Sequence, residues 1–184
     1  MAKTFAYHRC SGVWRIPTRP ATGVAGPPSK ARSCVSVASV SAQRLQALVD
    51  TPGSVEAALE LFDQLEPVEP DEMVGEWDGG LVPTGHPGEG QLDGLRWAGK
   101  AFRGPDDVDP MVCLDDGGER RPSDVMGGAT LRRVEFRGVS TATMVYDSHP
   151  VFDHFRRVDD ATVLGVMDRK GEDHPLVFFL RRRG

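Results

Sequence analysis

Acidic residues are absent from the first 49 positions of this 184-residue chain, whereas Lys3, Arg9, Arg15, Arg19, Lys30, Arg32 and Arg44 all fall there. A stretch without acids or any periodic apolar pattern has no face to bury. Rich also in Ser, Pro and Gly, residues 1–49 read as a disordered basic extension. Three origins fit it: upstream sequence read from a start codon placed too early, an organelle transit-like segment, or a basic tail for nucleic acid.

Long hydrophobic runs are missing as well. No apolar run of about 7 to 15 residues follows the basic start, which argues against a secretory signal, and none of about 18 residues is available for a membrane-spanning helix. The expectation is a soluble, cytoplasmic protein. Cysteine is scarce: Cys10, Cys34 and Cys113 form no C-x-x-C pair, so neither a disulfide framework nor a zinc site is supported. Cys113, in Met111-Val112-Cys113-Leu114, reads as a buried inert thiol. There is no G-x-S-x-G elbow and no Walker loop, and the glycine pairs lack the strand-to-helix context of a phosphate site. All 27 acidic residues lie from Asp50 onward, which argues against nucleic acid as a partner of that part.

Between Val40 and Leu65 the pattern is helical. Thr51-Pro52-Gly53-Ser54 supplies a start, and Val55, Ala58, Leu59, Phe62 and Leu65 recur at helical spacing, which predicts an amphipathic helix over 53–65 and a weaker one over 41–49. Pro67 and Pro70 end it. Beyond Gly75 the period falls to two, and strands are expected at 74–82, 93–102, 110–114, 119–123, 130–137, 139–147, 151–158, 162–168 and 175–182. Short turns such as Asp115-Asp116-Gly117-Gly118 and Arg169-Lys170-Gly171 favour an antiparallel meander.

The fold class is therefore mainly β, with a minor α contribution: a small antiparallel β-barrel or strongly curved sheet carrying one N-terminal amphipathic helix. Residues 50–122 form its first segment, and residues 123–184 supply the C-terminal strands that complete the same domain. Leu176-Val177-Phe178-Phe179-Leu180 is apolar on both faces, so this strand should be central or covered on both sides.

Aromatic residues are few, at 7%, yet Trp77, Trp97, Phe102, Phe136, Tyr146, Phe152, Phe155, Phe178 and Phe179 nearly all lie in the β part. They suffice for a core or a modest apolar pocket. The densest polar cluster is Tyr146, Asp147, His149, Asp153, His154, Arg156, Arg157 and Asp159. His154 and Arg156 share one strand face, and Asp153 and Arg157 share the other. An inward His154 can bind a ligand head group, act as general base with Asp147 or Asp153, or hold a metal or haem. The competing reading is a hydrogen-bonded histidine on a solvated strand. His86, in Thr84-Gly85-His86-Pro87, sits at a turn within reach of Trp77. His86, His149 and His154 lack metal-ligand spacing, so no metal is expected.

Gly75-Glu76-Trp77-Asp78-Gly79-Gly80 with Pro83-Thr84-Gly85-His86-Pro87, followed by Tyr146-Asp147, His154-Phe155-Arg156-Arg157-Val158-Asp159 and Leu164-Gly165-Val166-Met167-Asp168, resembles the bacterial GXWXG domain joined to its partner, domain of unknown function 4334. The likeness covers roughly residues 55–184 and implies that the basic segment lies outside the homologous unit. The G-x-W at the first strand also resembles calycin barrels such as lipocalins and haem-binding nitrobindins, where it closes one end of a ligand-holding barrel. Fold alone does not assign function.

The functional expectation is non-catalytic binding of a hydrophobic or amphipathic small molecule, a lipid for example, in a barrel cavity. Its contact residues are Trp77, His86, Trp97, Tyr146, His154 and Arg156, with Arg132 and Arg157 also available to a polar head. The alternatives are a small-barrel enzyme using His154 with Asp147 or Asp153, a nitrobindin-like haem protein, and a packed interaction module. Any cofactor and the oligomeric state stay open.

Overall fold

Serines start the two N-terminal helices. Ser36 and Ser54 are extended in backbone, and their hydroxyls accept from the N–H groups of Ser39 and Ala57, which satisfies donors that a helix start leaves free. The helices are α1, Val37–Asp50, and α2, Val55–Gln64. In α2, Val55, Ala58, Leu61 and Phe62 are buried. Helix α1 corrects the extent of the disordered extension expected over 1–49: Leu45 is buried and Ala42, Leu48 and Val49 pack around it, giving this stretch an apolar face. The rest of that extension lies outside residues 36–184, the part that the structure, a computed structural model, describes.

Ten strands follow. They are β1 (Glu66–Pro67), β2 (Gly75–Leu81), β3 (Trp97–Gly104), β4 (Asp107–Leu114), β5 (Arg120–Pro122), β6 (Ala129–Phe136), β7 (Val139–Tyr146), β8 (Val151–Asp159), β9 (Thr162–Arg169) and β10 (Val177–Arg182). Short helices α3 (Pro70–Met73) and α4 (Pro87–Gly94) flank β2, and a 3₁₀ turn spans Asp124–Met126. Helix α4 corrects the strand expected from residue 93, because the chain is still helical there and β3 begins at Trp97.

Eight strands form a closed ring. From β2 through β3, β4, β6, β7, β8, β9 and β10 each pairs antiparallel with the next, and β10 returns to β2 from Phe178↔Leu81 to Arg182↔Trp77. This is the up-and-down meander that the short turns favour, and closure leaves the ring without free edges. Its thinnest seam is β4 with β6, where Val108 pairs with Ala129 and the Leu131 N–H donates to the Pro105 carbonyl.

Two apolar layers result. Inside the ring Trp77, Phe102, Leu131, Met144, Phe155, Phe178 and Leu180 pack together, while outside it α1 and α2 cover Val158, Leu164, Val166, Val177 and Phe179. Strand β10 is thus greasy on both faces because both are buried. The same alternation fixes β8: Val151, Asp153 and Phe155 face inward, and His154, Arg156 and Val158 face outward toward the helices.

Candidate functional site

The barrel is closed at one end and hollow toward the other. At the closed end Trp77 is buried, donates its indole N–H to the Met73 carbonyl at 2.7 Å, and lies under the Arg182 guanidinium, whose carbon is 4.3 Å from the ring centroid. Glu72 pairs with Arg157 beside it. At the other end an open pocket of about 400 Å³ runs into the barrel.

Glycines shape its walls. A Cβ at Gly79 would lie 2.4 Å from the Trp97 ring, and one at Gly165 would lie 2.4 Å from the Phe178 ring, so the outer part of each ring rests against bare backbone. Methionines 111, 126 and 167 complete the apolar lining, and their flexible thioethers adapt to the shape of an occupant. At the mouth, α4 is set by its cap more than by any apolar stripe. The His86 Nδ1 accepts from the Gly88 N–H at 2.9 Å, and Glu89 accepts from the backbone of both Thr84 and His86. The same histidine turns its Nε2 toward Glu172, 3.6 Å away, with His174 beside it.

A polar cluster sits on the floor of this apolar pocket. Lys100, only 3% exposed, places its ammonium 2.9 Å from the carboxylate of Asp153, itself 2% exposed, and donates to the Pro110 carbonyl at 3.0 Å. The Tyr146 hydroxyl donates to the same carboxylate at 3.3 Å and lies 3.4 Å from the ammonium. Burial, and secondly the charge of Asp153, push the Tyr146 phenol well above its ordinary value, so it stays neutral. The rings of Trp97, Tyr146 and Phe178 surround the ammonium with centroids 5.1–5.7 Å away. Buried charges persist only when paired and hydrogen-bonded, and this pair is both. The Trp97 indole N–H is buried with no partner among the described residues.

The residues expected at the site do not all come together. Trp97, Tyr146, Asp153 and His86 line the pocket together. Trp77 does not line it; it is the plug at the opposite end. His154 and Arg156 lie on the outer side of the wall, and so the inward His154 is corrected. Its ring stacks on Phe136 at 3.9 Å between centroids, and its Nδ1 is 2.9 Å from the Thr143 hydroxyl. Burial holds this imidazole below its ordinary value, with the nearby charge of Asp168 opposing the shift. Arg156 is buried against Phe62 and donates to the carbonyl of Leu65, the C-cap of α2, and to that of Phe136, clamping helix to wall. Asp147 and His149 are exposed at the turn after β7. Arg132 pairs with Asp106 and does not line the pocket.

Lys100 was not among the expected residues. Its signal is a lysine within Trp97-Ala98-Gly99-Lys100-Ala101-Phe102, but register shifts in β3 between Trp97 and Ala101 break the simple alternation. Cys113 is half-buried, and burial pushes its thiol upward, consistent with an inert group. Among the described residues no cluster of three or more His, Cys, Asp or Glu is placed to hold a metal ion.

The profile described as "GXWXG protein" matches residues 60–118, and the one described as "Domain of unknown function (DUF4334)" matches residues 127–182. A solved structure titled "Crystal structure of protein from Thermomonospora curvata" is 39% identical, covers 79% of this chain and 99% of its own, and superposes with a TM-score of 0.74. The chain belongs to the GXWXG family. No curated protein shows a significant match. In this GXWXG chain the two matched segments build one ring, since β2–β4 come from the first, β6–β10 from the second, and β10 hydrogen-bonds to β2. The signature acts twice: Trp77 closes the far end of the barrel, and Gly79 leaves the space in the wall that Trp97 fills. Among the described residues no helix is long and apolar enough to cross a membrane.

Proposed function

We propose that this domain binds a mainly apolar small molecule inside the barrel, by shape and burial and without bond chemistry. The observation that carries the reading is the pocket of about 400 Å³, apolar in most of its wall, with one polar cluster on its floor and charged residues such as Arg169 and Glu172 at its mouth. A volume of that order falls in the range of small-molecule sites, and a few polar groups in an apolar wall are what orient such ligands. A fully packed interaction module would have no such space. The acid–base reading needs an inward His154, and the stacking of its ring on Phe136 with Nδ1 at the Thr143 hydroxyl does not favour it.

Uptake of an environment-sensitive apolar dye by the purified protein tests the proposal, together with native mass spectrometry for a copurifying molecule. Saturable dye binding that Met167→Trp abolishes is the expected result. Ligand-free protein that takes up no dye overturns it.

A further inference from the structure

The preceding reading leaves the ligand class open, and the pocket floor narrows it. We propose that the occupant is uncharged and carries a single neutral oxygen, a ketone or alcohol on an apolar body, and that free fatty acids are excluded. This rests on the binding role just described.

Charge balance carries the argument. Lys100 and Asp153 are 2.9 Å apart and almost wholly buried, so the floor is already neutral, with each charge answered by the other. A ligand carboxylate brought there would be a second anion beside Asp153, stripped of water and with no free cation to meet it. The Lys100 ammonium already gives hydrogen bonds to Asp153 and the Pro110 carbonyl and lies near the Tyr146 hydroxyl. A ligand ammonium fails for the mirror reason, because Lys100 repels it and Asp153 is occupied. Burying an unpaired charge costs far more than burying a hydroxyl or carbonyl. No arginine reaches the floor: Arg156 is clamped behind the wall, Arg157 pairs with Glu72 at the closed end, Arg132 pairs with Asp106, and Arg169, which does line the pocket, is exposed at its mouth and pairs with Glu172.

A neutral oxygen, by contrast, has partners. The contacts of the Tyr146 hydroxyl, at 3.3 and 3.4 Å, are long for bonds at a hydroxyl oxygen, so it is the loosely held member of the cluster and can turn toward a ligand oxygen. The Trp97 indole is a second donor without a partner, and a small ring movement that gave it an acceptor would recover the cost of its isolation. Two donors and no spare cation on the floor select an acceptor that is not an anion.

A matched ten-carbon series reads this directly: decanol, the methyl ketone of the same length, decane, decanoate and decylammonium, each competing with the apolar dye at pH 7. The expected order places alcohol and ketone first, with decanoate and decylammonium at least about tenfold weaker. Asp153→Asn should reverse part of it, since an unpaired Lys100 then welcomes decanoate. Where that variant fails to fold, Lys100→Met with Asp153→Asn keeps a neutral floor and should keep the wild-type order. Decanoate binding as tightly as decanol to the wild-type protein overturns the neutral-ligand proposal while leaving the pocket reading intact. Dye uptake that no member of the series displaces overturns the neutral-ligand proposal as well. Failure of the dye itself to bind overturns both.

Discussion

Replacing Lys100 with methionine is the sharpest test of how the pocket floor is held. Methionine has nearly the length of the lysine stem and packs well against the rings of Trp97, Tyr146 and Phe178, so little cavity is created. What is lost is the ammonium 2.9 Å from Asp153 and its bond to the Pro110 carbonyl. Asp153 is then a buried carboxylate with only the long bond from Tyr146 left. Removing one partner of a buried pair costs roughly 3–5 kcal/mol, against a typical total stability of about 5–15 kcal/mol. At roughly 2–4 °C per kcal/mol for a chain of this size, the midpoint of thermal unfolding should fall by about 6–20 °C.

Adding Asp153→Asn removes the buried charge altogether and should recover most of the loss. Urea unfolding followed by tryptophan fluorescence at pH 7 measures all three proteins. A Lys100→Met protein within about 1 kcal/mol of wild type would refute the claim that this pair is desolvated.

Two other outcomes follow from the geometry. Gly79→Ala sets a Cβ 2.4 Å from the Trp97 ring, so the ring must move; a cost of about 1–3 kcal/mol with reduced dye uptake is expected, and wild-type values for both would show that the ring has room. For His154, burial lowers the folded pKa below its ordinary 6.5, so the unfolded chain binds the proton more readily and the contribution of this residue, complete above about 6.5, is lost as pH falls through the folded value. Denaturation midpoints between pH 7 and 5 should therefore fall for the wild type and fall less for His154→Phe, and equal slopes would count against the assignment.

Much of the barrel was legible because period-two alternation and short turns are local properties. The strands after β4 lie within about two residues of where alternation and turn residues put them, β4 itself begins at Asp107 and not at residue 110, and β10 announced its covered position by being apolar on both faces. Helix α4 was not legible in that way. Pro87-Gly88-Glu89-Gly90 has poor helix formers and no apolar stripe, and the helix exists because His86 and Glu89 satisfy its first donors, a signal that periodicity does not carry. The capping pair was nonetheless written in the sequence, three residues apart and with proline between.

The site was half legible, and the missing half has a definite cause. Alternation along β8 separates Asp153 from His154 but cannot say which side is the inside, because α2 and the outer wall bury one face as completely as the cavity side buries the other. Histidine attracted the functional reading by its chemistry, whereas its surroundings are those of a wall residue stacked on Phe136. A second strand resolves the ambiguity. Lys100 is the one charge among the apolar residues of β3 up to Phe102, and Asp153 is the charge between Val151 and Phe155 on β8. Two lone charges of opposite sign, each on an otherwise apolar strand face, can be buried in a small barrel only if they meet. Treating those two faces as a pair puts Asp153 inside and His154 outside, and it moves the centre of the candidate site from the histidine to the lysine.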